Sequence, residues 1–170
     1  MIVTWNPKNP MRRRLVFLEG VDKTGKSTLC YRVMHESGHD VLCYCRGPMS
    51  RRVYAKFSGS GYPIEDIDWL EEKLIKTDSY AVILLECAIK TLAERILLSL
   101  GHRLISPTIL LKQATLFRRE WRALRTRGVP TLLLDTSKFS EDECVRLIIA
   151  WLGGTWRQSD ADSTGSRNVC

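Results

Sequence analysis

The fold is decided by residues 15–28, which read Leu-Val-Phe-Leu-Glu-Gly-Val-Asp-Lys-Thr-Gly-Lys-Ser-Thr. Apolar residues at the start of this stretch predict a short buried strand, and Gly20 to Ser27 then follow the pattern G-x-x-x-x-G-K-S. A helical pattern begins immediately afterwards. Glycine lets the backbone curl tightly around a phosphate group, and the N–H groups at the start of the helix point at the same anion. The stretch therefore predicts a phosphate-binding loop.

Two side chains of this loop have predicted roles in holding a nucleotide. The ammonium group of Lys26 is expected to reach the β- and γ-phosphates, and the hydroxyl group of Ser27 is expected to bind Mg²⁺. Gly20 and Gly25 are expected at the points where the backbone turns most sharply. The loop alone thus indicates a protein that binds a nucleoside triphosphate.

Strands and helices alternate along the rest of the chain. Short apolar runs predict further strands at 40–45, 80–86 and 131–135. Helical periodicity predicts helices at 27–36, 49–57, 64–76, from Ile89 to about Gly101, 107–126 and from Ser140 to about Leu152. This order predicts an α/β protein with the P-loop NTPase fold, in which a parallel sheet of four or five strands carries helices on both faces. The nucleotide is expected at the carboxyl ends of the strands.

Local sequence patterns predict where two of these helices begin and which side of a third helix faces the core. Ser106 is the predicted N-cap of the helix at 107–126, and Ser140 with Glu143 forms a predicted capping box. In the helix at 64–76, Ile67, Leu70 and Leu74 are expected to face inward. The acidic residues of that helix are expected to face water: Glu65, Asp66, Asp68, Glu71 and Glu72.

Length and composition indicate one globular domain. The chain has 170 residues, of which 44% are hydrophobic and 26% are charged. A single domain is expected at 14–152, preceded by a flexible arm at 1–13 and followed by a mobile tail at 153–170. The net charge of +7 and the pI near 9.3 suit anionic ligands. Because the basic residues are scattered, nucleic acid is a less favoured partner than a small nucleotide.

The six cysteines are predicted to be reduced thiols. They contain no Cys-x-x-Cys pair, and Cys43 and Cys45 are expected to face opposite sides of their strand, so that no metal site is predicted there. Reduced thiols suit a cytoplasmic location. No apolar run is long enough for a signal peptide or a membrane span, so no membrane association is predicted.

The loop resembles that of the thymidylate kinase group of nucleoside monophosphate kinases, which carries an acidic residue at the third position. That residue is Asp22 here, and basic Lys23 follows it. The second half of the chain fits as well, with a strand to Glu86, Lys90-Thr-Leu-Ala-Glu-Arg-Ile, a Gly101-His-Arg loop and a strand into Asp135-Thr-Ser. The resemblance covers residues 14–152. It implies ATP- and Mg²⁺-dependent phosphoryl transfer to a (deoxy)nucleoside monophosphate, allows a homodimer, and suits a compact phage or virus enzyme.

The resemblance also implies roles for individual residues. Asp22 would contact the sugar or phosphate of the acceptor, and Lys23 would neutralise charge between donor and acceptor. Arg95 and Arg103 would clamp the transferred group, although each could equally be a surface arginine. The implied contacts to ATP are Gly20, Val21, Asp22, Lys23, Thr24, Gly25, Lys26, Ser27 and Thr28 around the phosphates, and Thr136, Ser137 and Lys138 against the adenine.

The chain departs from the family at Cys45-Arg46-Gly47-Pro48. The family has Asp-Arg at the end of the strand beside the loop strand, where the acid helps to hold the metal. Either the acceptor segment is shortened and Arg46 is the family arginine without its acid, or 40–45 is an outer strand and the Asp-Arg strand is missing. A thiol cannot replace a carboxylate as a ligand of Mg²⁺. Asp22 and Glu86 are therefore candidate metal partners, with Glu86 alternatively a strand-end residue facing solvent.

The segment after Arg46 offers a candidate acceptor pocket. Arg46 and Arg51 could bind the acceptor phosphate, and Tyr54 and Phe57 could stack on its base, although a place in the helix core explains these rings equally well. Two alternatives to the monophosphate kinase stay open. One is a deoxynucleoside kinase, and the other is a non-catalytic protein that binds ATP or nucleic acid.

Overall fold

The computed structural model describes residues 14–37, 41–59, 63–77, 79–100 and 106–164. The predicted N-terminal arm and Arg103 lie outside these ranges. The elements in chain order are β1 (Arg14–Glu19), α1 (Lys26–Glu36), β2 (Val41–Cys45), α2 (Pro48–Ser58), α3 (Ile64–Ile75), β3 (Tyr80–Glu86), α4 (Ile89–Leu100), α5 (Pro107–Thr126), β4 (Thr131–Asp135) and α6 (Glu141–Thr164).

The strands form one parallel sheet in the order β2-β1-β3-β4. The predicted α/β P-loop NTPase fold is confirmed, with four strands in the described part of the chain. The chain passes from β1 to β2 at one edge and from β3 to β4 at the other, so the connections leave the neighbouring strands β1 and β3 in opposite directions. Such a reversal opens a crevice at the carboxyl ends of the strands, where ligands bind in folds of this class.

The sheet separates two apolar clusters, because alternate residues of a strand face opposite sides. On one side, Val16 and Leu18 of β1 pack with α1 and α6. On the other side, Val82 and Leu84 of β3 pack with α2, α4 and α5. Every residue of β3 before Glu86 is buried, as expected for a parallel strand covered on both faces. The helices on both faces therefore hold the carboxyl edge of the sheet in one position.

The helix boundaries agree with the predictions except at the end of α6. This helix continues through Gly153 and Gly154 to Thr164, so the predicted end near Leu152 is wrong. Glycine lowers helix propensity by about 1 kcal/mol per residue but does not forbid a helix. The capping box at Ser140 and Glu143 is confirmed, whereas Ser106 is the N-cap of α5 without a side-chain cap bond. None of the helices in the described ranges has the length and apolar character needed to cross a membrane.

The prediction that all acidic residues of α3 face water is wrong for Glu71. Its side chain is fully buried and accepts hydrogen bonds from Arg52 of α2 at 2.9 Å and from Arg127 at 2.8 Å. Arg52 also contacts Asp68 and Glu120, so three helices share one charge network. Leu70, expected to face inward, is 37% exposed. The helix has turned its charged side toward Arg52 because a buried arginine needs carboxylate partners.

We expect replacement of Glu71 to destabilise the protein far more than replacement of its neighbour Glu72. Glu71→Gln leaves the buried guanidinium of Arg52 with less compensating charge and should lower the free energy of unfolding by about 3 kcal/mol. Glu72 also pairs with Arg127 but is 57% exposed, so Glu72→Gln should cost less than about 1 kcal/mol. Denaturant titration of both variants measures the difference. Equal costs would contradict a structural role for the network.

Candidate functional site

The predicted phosphate-binding loop connects β1 to α1 at the carboxyl edge of the sheet. Its backbone has φ values of +136° at Gly20, +66° at Lys23 and +91° at Gly25, all in the region that favours glycine. A Cβ atom at Gly20 would overlap the carbonyl oxygen of Leu85, whereas one at Gly25 would meet open space. The loop therefore lies directly against β3, and only glycine fits at its first position.

Lys26 is buried inside this loop. Its ammonium group donates hydrogen bonds to the carbonyl oxygens of Gly20 at 2.9 Å and Val21 at 2.6 Å, and lies 3.4 Å from the Thr24 hydroxyl oxygen. The Thr24 hydroxyl in turn donates to the Val21 carbonyl at 2.9 Å. Burial lowers the pKa of Lys26 to about 8. The buried ammonium group of Lys26, with its lowered pKa, is therefore well suited to replace its carbonyl partners with the oxygens of a bound anion.

The strand beside β1 ends at Cys45, and this bears on the two interpretations of the acceptor segment. β2 pairs directly with β1, and the Cys45 thiol hydrogen-bonds with the side chain of Ser27 in the first turn of α1. This arrangement favours the interpretation in which the segment is shortened and Arg46 follows the strand next to the loop strand. Ser27 and Thr28 are exposed at the start of α1, so their hydroxyl groups lie at the surface of the site.

Asp22, Arg46 and Tyr54 meet beside the loop, where the charges of Asp22 and Arg46 also affect the pKa of Lys26. Arg46 adopts φ +67° and its guanidinium forms an ion pair with Asp22. It also lies 5.5 Å from the centre of the Tyr54 ring, which packs edge-on against Phe117 at 6.0 Å. Burial raises the pKa of Tyr54 to about 12. Tyr54 thus lies partly in the helix core and beside Arg46, and its stacking on an acceptor base stays a prediction.

The other predicted acceptor residues lie farther along α2. Arg51 is exposed, and Phe57 is partly buried one turn beyond Tyr54. The described contacts therefore unite Arg46 and Tyr54 with the loop, and leave the predicted roles of Arg51 and Phe57 as predictions.

Arg95 links the loop to the segment after β4. Its guanidinium donates to the carbonyl of Lys23 at 3.3 Å and to the hydroxyl and carbonyl of Thr136 at 3.2 and 3.0 Å. Ser137 folds back on Asp135, whose carboxylate accepts from its N–H at 3.0 Å and its hydroxyl at 2.5 Å. Lys138 is exposed and also pairs with Asp135. The segment predicted to lie against adenine is thus fixed beside the loop.

Glu86, a candidate metal partner at the end of β3, faces Arg118 of α5. The two side chains form a two-pronged ion pair, with Nη2 to Oε2 at 2.6 Å. Arg118 was not predicted as a site residue, because helical periodicity marks only the buried side of α5 and does not indicate a partner distant in the chain. The carboxylate of Glu86 is therefore paired with an arginine and does not simply face solvent.

A cavity of about 260 Å³ opens where β1 and β3 end. Glu86 and Arg118 lie on its polar side. Its other walls come from the loop, β3, α4 and α5: Gly20, Val21, Leu84, Cys87, Leu92, Ala114 and Phe117. Its position matches the crevice expected from the order of the strands, and its mixed lining suits part of a small ligand with one polar edge.

Glu19 is the second site residue that the sequence analysis missed. It is fully buried, accepts a hydrogen bond from the Gly47 N–H at 2.8 Å, and also bonds with the Ser50 hydroxyl. Burial raises the pKa of this carboxyl, and the hydrogen bonds from Ser50 and Gly47 offset part of that effect. One feature of the sequence could have identified Glu19: a charged residue stands directly between an apolar strand and a glycine-containing loop.

The cysteines near the site correct one expectation. Cys30 donates to the Cys43 carbonyl at 3.0 Å and interacts with the thiols of both Cys43 and Cys45. Cys43 and Cys45 therefore face the same side, because residues two apart in a strand share a face. All five cysteines in the described ranges are free thiols. Within those same ranges, no group of three or more His, Cys, Asp or Glu side chains is placed to hold a metal.

Comparison with known proteins supports the fold and gives no family. The chain matches no protein-family model and no curated protein in sequence. Chains of solved structures do match, among them the YorR protein from Bacillus subtilis in complex with phosphorylated GDP. That match has a TM-score of 0.65 and 22% identity, and covers 82% of this chain and 95% of the other. The two chains therefore share a fold.

We expect the two loop glycines to respond differently to substitution by alanine. At Gly20 the new Cβ would be strained by its positive φ and would overlap the Leu85 carbonyl, so Gly20→Ala should cost about 3 kcal/mol or more of unfolding free energy. At Gly25 only the backbone strain applies, which amounts to about 1 kcal/mol. Denaturant titration measures both. Similar costs would mean that the loop does not lie against β3 as described.

Proposed function

We propose that this protein transfers the terminal phosphoryl group of ATP to a (deoxy)nucleoside monophosphate, as thymidylate kinases do. The observation that carries the proposal is the pair of cationic side chains at one edge of the sheet, Lys26 after β1 and Arg46 after the adjacent β2. One cation suits the donor and the other suits the acceptor. The fold shared with a protein that was crystallised with phosphorylated GDP is consistent with a nucleotide ligand.

The surroundings of Arg46 favour an acceptor that is already an anion. The Arg46 side chain is 50% exposed, and its guanidinium is oriented by Asp22 and by the Tyr54 ring. Arginine binds phosphate oxygens through paired N–H groups. A nucleoside acceptor would instead need a base to remove the proton of its hydroxyl group. The nearest carboxylate in the loop, that of Asp22, is engaged by Arg46.

Phosphoryl transfer depends mainly on positioning and on cations that stabilise the developing charge. Lys26 would bind the β- and γ-phosphates, Lys23 would neutralise charge between donor and acceptor, and Arg95 would clamp the transferred group. Thr136, Ser137 and Lys138 would lie against the adenine. A cytoplasmic location would supply ATP and keep the thiols reduced. A homodimer is compatible with this proposal but is not required by it.

The residues of the loop also fit Mg²⁺ bound together with ATP. Such an ion takes most of its ligands from phosphates and water and only one or two from the protein. The exposed hydroxyl of Ser27 in the first turn of α1 suits that role. The carboxylates of Asp22 and Glu86 lie at the same edge of the sheet, and each would exchange its arginine partner for the ion. Mg²⁺ would neutralise phosphate charge and orient the donor.

An ADP-release assay across nucleosides and nucleoside monophosphates tests the proposed function. We expect turnover with at least one monophosphate, and we expect Lys26→Met to reduce kcat/KM by at least about a hundredfold, because the donor phosphates lose their buried cation. Lys73→Met, which removes an exposed lysine of α3, is the matched control and should leave kcat/KM unchanged.

Other outcomes of this assay would identify the alternatives. Turnover with nucleosides alone would replace the proposal by a nucleoside kinase. Tight ATP binding without transfer to any monophosphate would favour a non-catalytic protein. Binding of single-stranded nucleic acid that weakens steeply with salt and survives Lys26→Met would favour a nucleic-acid partner.

The affinity for ATP should fall as the pH rises above about 8, where buried Lys26 loses its proton in the nucleotide-free protein. Phosphates favour the charged ammonium and raise its pKa in the complex, so binding above this pH requires uptake of a proton. The dissociation constant should then increase by up to about tenfold per pH unit. Calorimetry from about pH 7 to about pH 10 measures it. Lys26→Arg, whose guanidinium stays charged, should bind without this pH dependence.

A further inference from the structure

Glu19 lies between the two halves of the proposed site without lining either of them. It is the last residue of β1, it directly precedes the phosphate-binding loop, and its side chain has no exposed surface. Burying a carboxylate is costly unless hydrogen bonds compensate for the lost water. The partners of Glu19 therefore indicate what this buried charge holds in place.

All the hydrogen-bond partners of Glu19 come from the start of α2. One carboxylate oxygen accepts from the Gly47 N–H at 2.8 Å, and the other bonds with the Ser50 hydroxyl. The backbone N–H of Ser50 also donates to this carboxyl group. Gly47 is the N-cap of α2 and has no side chain with which to cap it. Glu19 thus supplies, from a neighbouring strand, the acceptor and the negative charge that a helix N-terminus favours.

The same stretch of backbone carries Arg46. Its N–H donates to the Leu18 carbonyl at 3.1 Å, and its φ of +67° turns the chain sharply from β2 into α2. Gly47 then passes so close to the Phe17 ring that an added Cβ would overlap it. Three consecutive residues of β1, Phe17 to Glu19, therefore fix the turn that presents Arg46.

The Phe17 ring cannot easily yield to a displaced turn. It stacks on Tyr44 and meets Tyr80 edge-on, with ring centres 5.6 Å apart in both pairs. Glu19 is the polar member of this set of contacts and the one closest to the loop. If its hydrogen bonds are lost, the start of α2 loses its polar anchor on β1, and Arg46 and Tyr54 are held less precisely.

We propose that Glu19 is a positioning residue for the acceptor: by capping α2 from β1, it holds Arg46 and Tyr54 at a fixed distance from the phosphate-binding loop. The inference rests on the proposed function and adds a residue to it. Glu19 acts through Gly47 and Ser50 and contacts no substrate itself. Burial lowers the pKa of Lys26, and the Glu19 carboxylate opposes this effect less than Asp22 does. Loss of Glu19 should therefore weaken the acceptor far more than the donor, which is held by the loop and α1.

The test compares Michaelis constants in Glu19→Gln, a variant that keeps the shape of the side chain. Loss of the charge-assisted hydrogen bonds should raise the KM for the monophosphate acceptor about tenfold, while the KM for ATP stays within about twofold. Ser50→Ala removes one donor and leaves the carboxylate, so it should raise the acceptor KM by a smaller factor. If Glu19→Gln fails to fold, Ser50→Ala alone still tests the prediction.

Glu143→Gln is the matched control. Glu143 caps α6 by accepting from the N–H and the hydroxyl of Ser140, both at 2.8 Å. Glu143 thus accepts from the same kinds of donor as Glu19, but α6 contributes no residue to the proposed acceptor pocket. This variant should leave the ratio of the two KM values unchanged. A change equal to that of Glu19→Gln would reduce Glu19 to a general stabilising residue.

The outcomes separate this inference from the proposed function. A wild-type protein that transfers no phosphate to any monophosphate overturns the function, and the positioning role with it. An active wild-type protein whose Glu19→Gln and Ser50→Ala variants raise both KM values in parallel, or neither, overturns the positioning role alone.

Discussion

The end of β1 is held on both sides, and the geometry of the candidate site depends on this constraint. On one side, the backbone at Gly20 lies against the carbonyl of Leu85 with no room for a side chain. On the other, Phe17 and Glu19 fix the backbone at Gly47. The phosphate-binding loop therefore cannot shift relative to β3 without moving the turn that carries Arg46. Rigid strands rather than long loops set the distance between the two cations.

Charged side chains orient α2 more specifically than its apolar contacts could. Glu19 holds the N-terminus of this helix, and the buried guanidinium of Arg52 binds carboxylates from α3 and α5 in its middle. Apolar surfaces tolerate sliding and rotation, whereas hydrogen-bonded charges in a low-dielectric interior lose several kcal/mol if they separate. The helix that carries Tyr54 is thus fixed in rotation as well as in position.

The sequence predicted the fold and the loop better than it predicted the surroundings of the loop. The pattern from Gly20 to Ser27 correctly predicted a tight loop between strand and helix, and the alternation of apolar runs correctly predicted the sheet, because both depend on neighbours in the chain. Glu19 and Arg118 were missed and Glu71 was wrongly expected to face water, because their partners lie on other elements and periodicity treats a charged residue as exposed. The continuation of α6 through Gly153 and Gly154 was missed because propensity is a weak guide where a helix is already established.

Lys26 already has oxygen neighbours within its own loop, and this has a consequence for selectivity among anions. The ammonium group donates to the carbonyl oxygens of Gly20 and Val21 at 2.9 and 2.6 Å. An anion that replaces them therefore gains only the difference in free energy between a hydrogen bond to a charged oxygen and one to a neutral oxygen. A single sulfate or orthophosphate gains this difference once. A polyphosphate tail would add hydrogen bonds from the backbone N–H groups of the loop and of the first turn of α1. As the donor site proposed above, the loop would therefore favour linked phosphate groups over single inorganic anions.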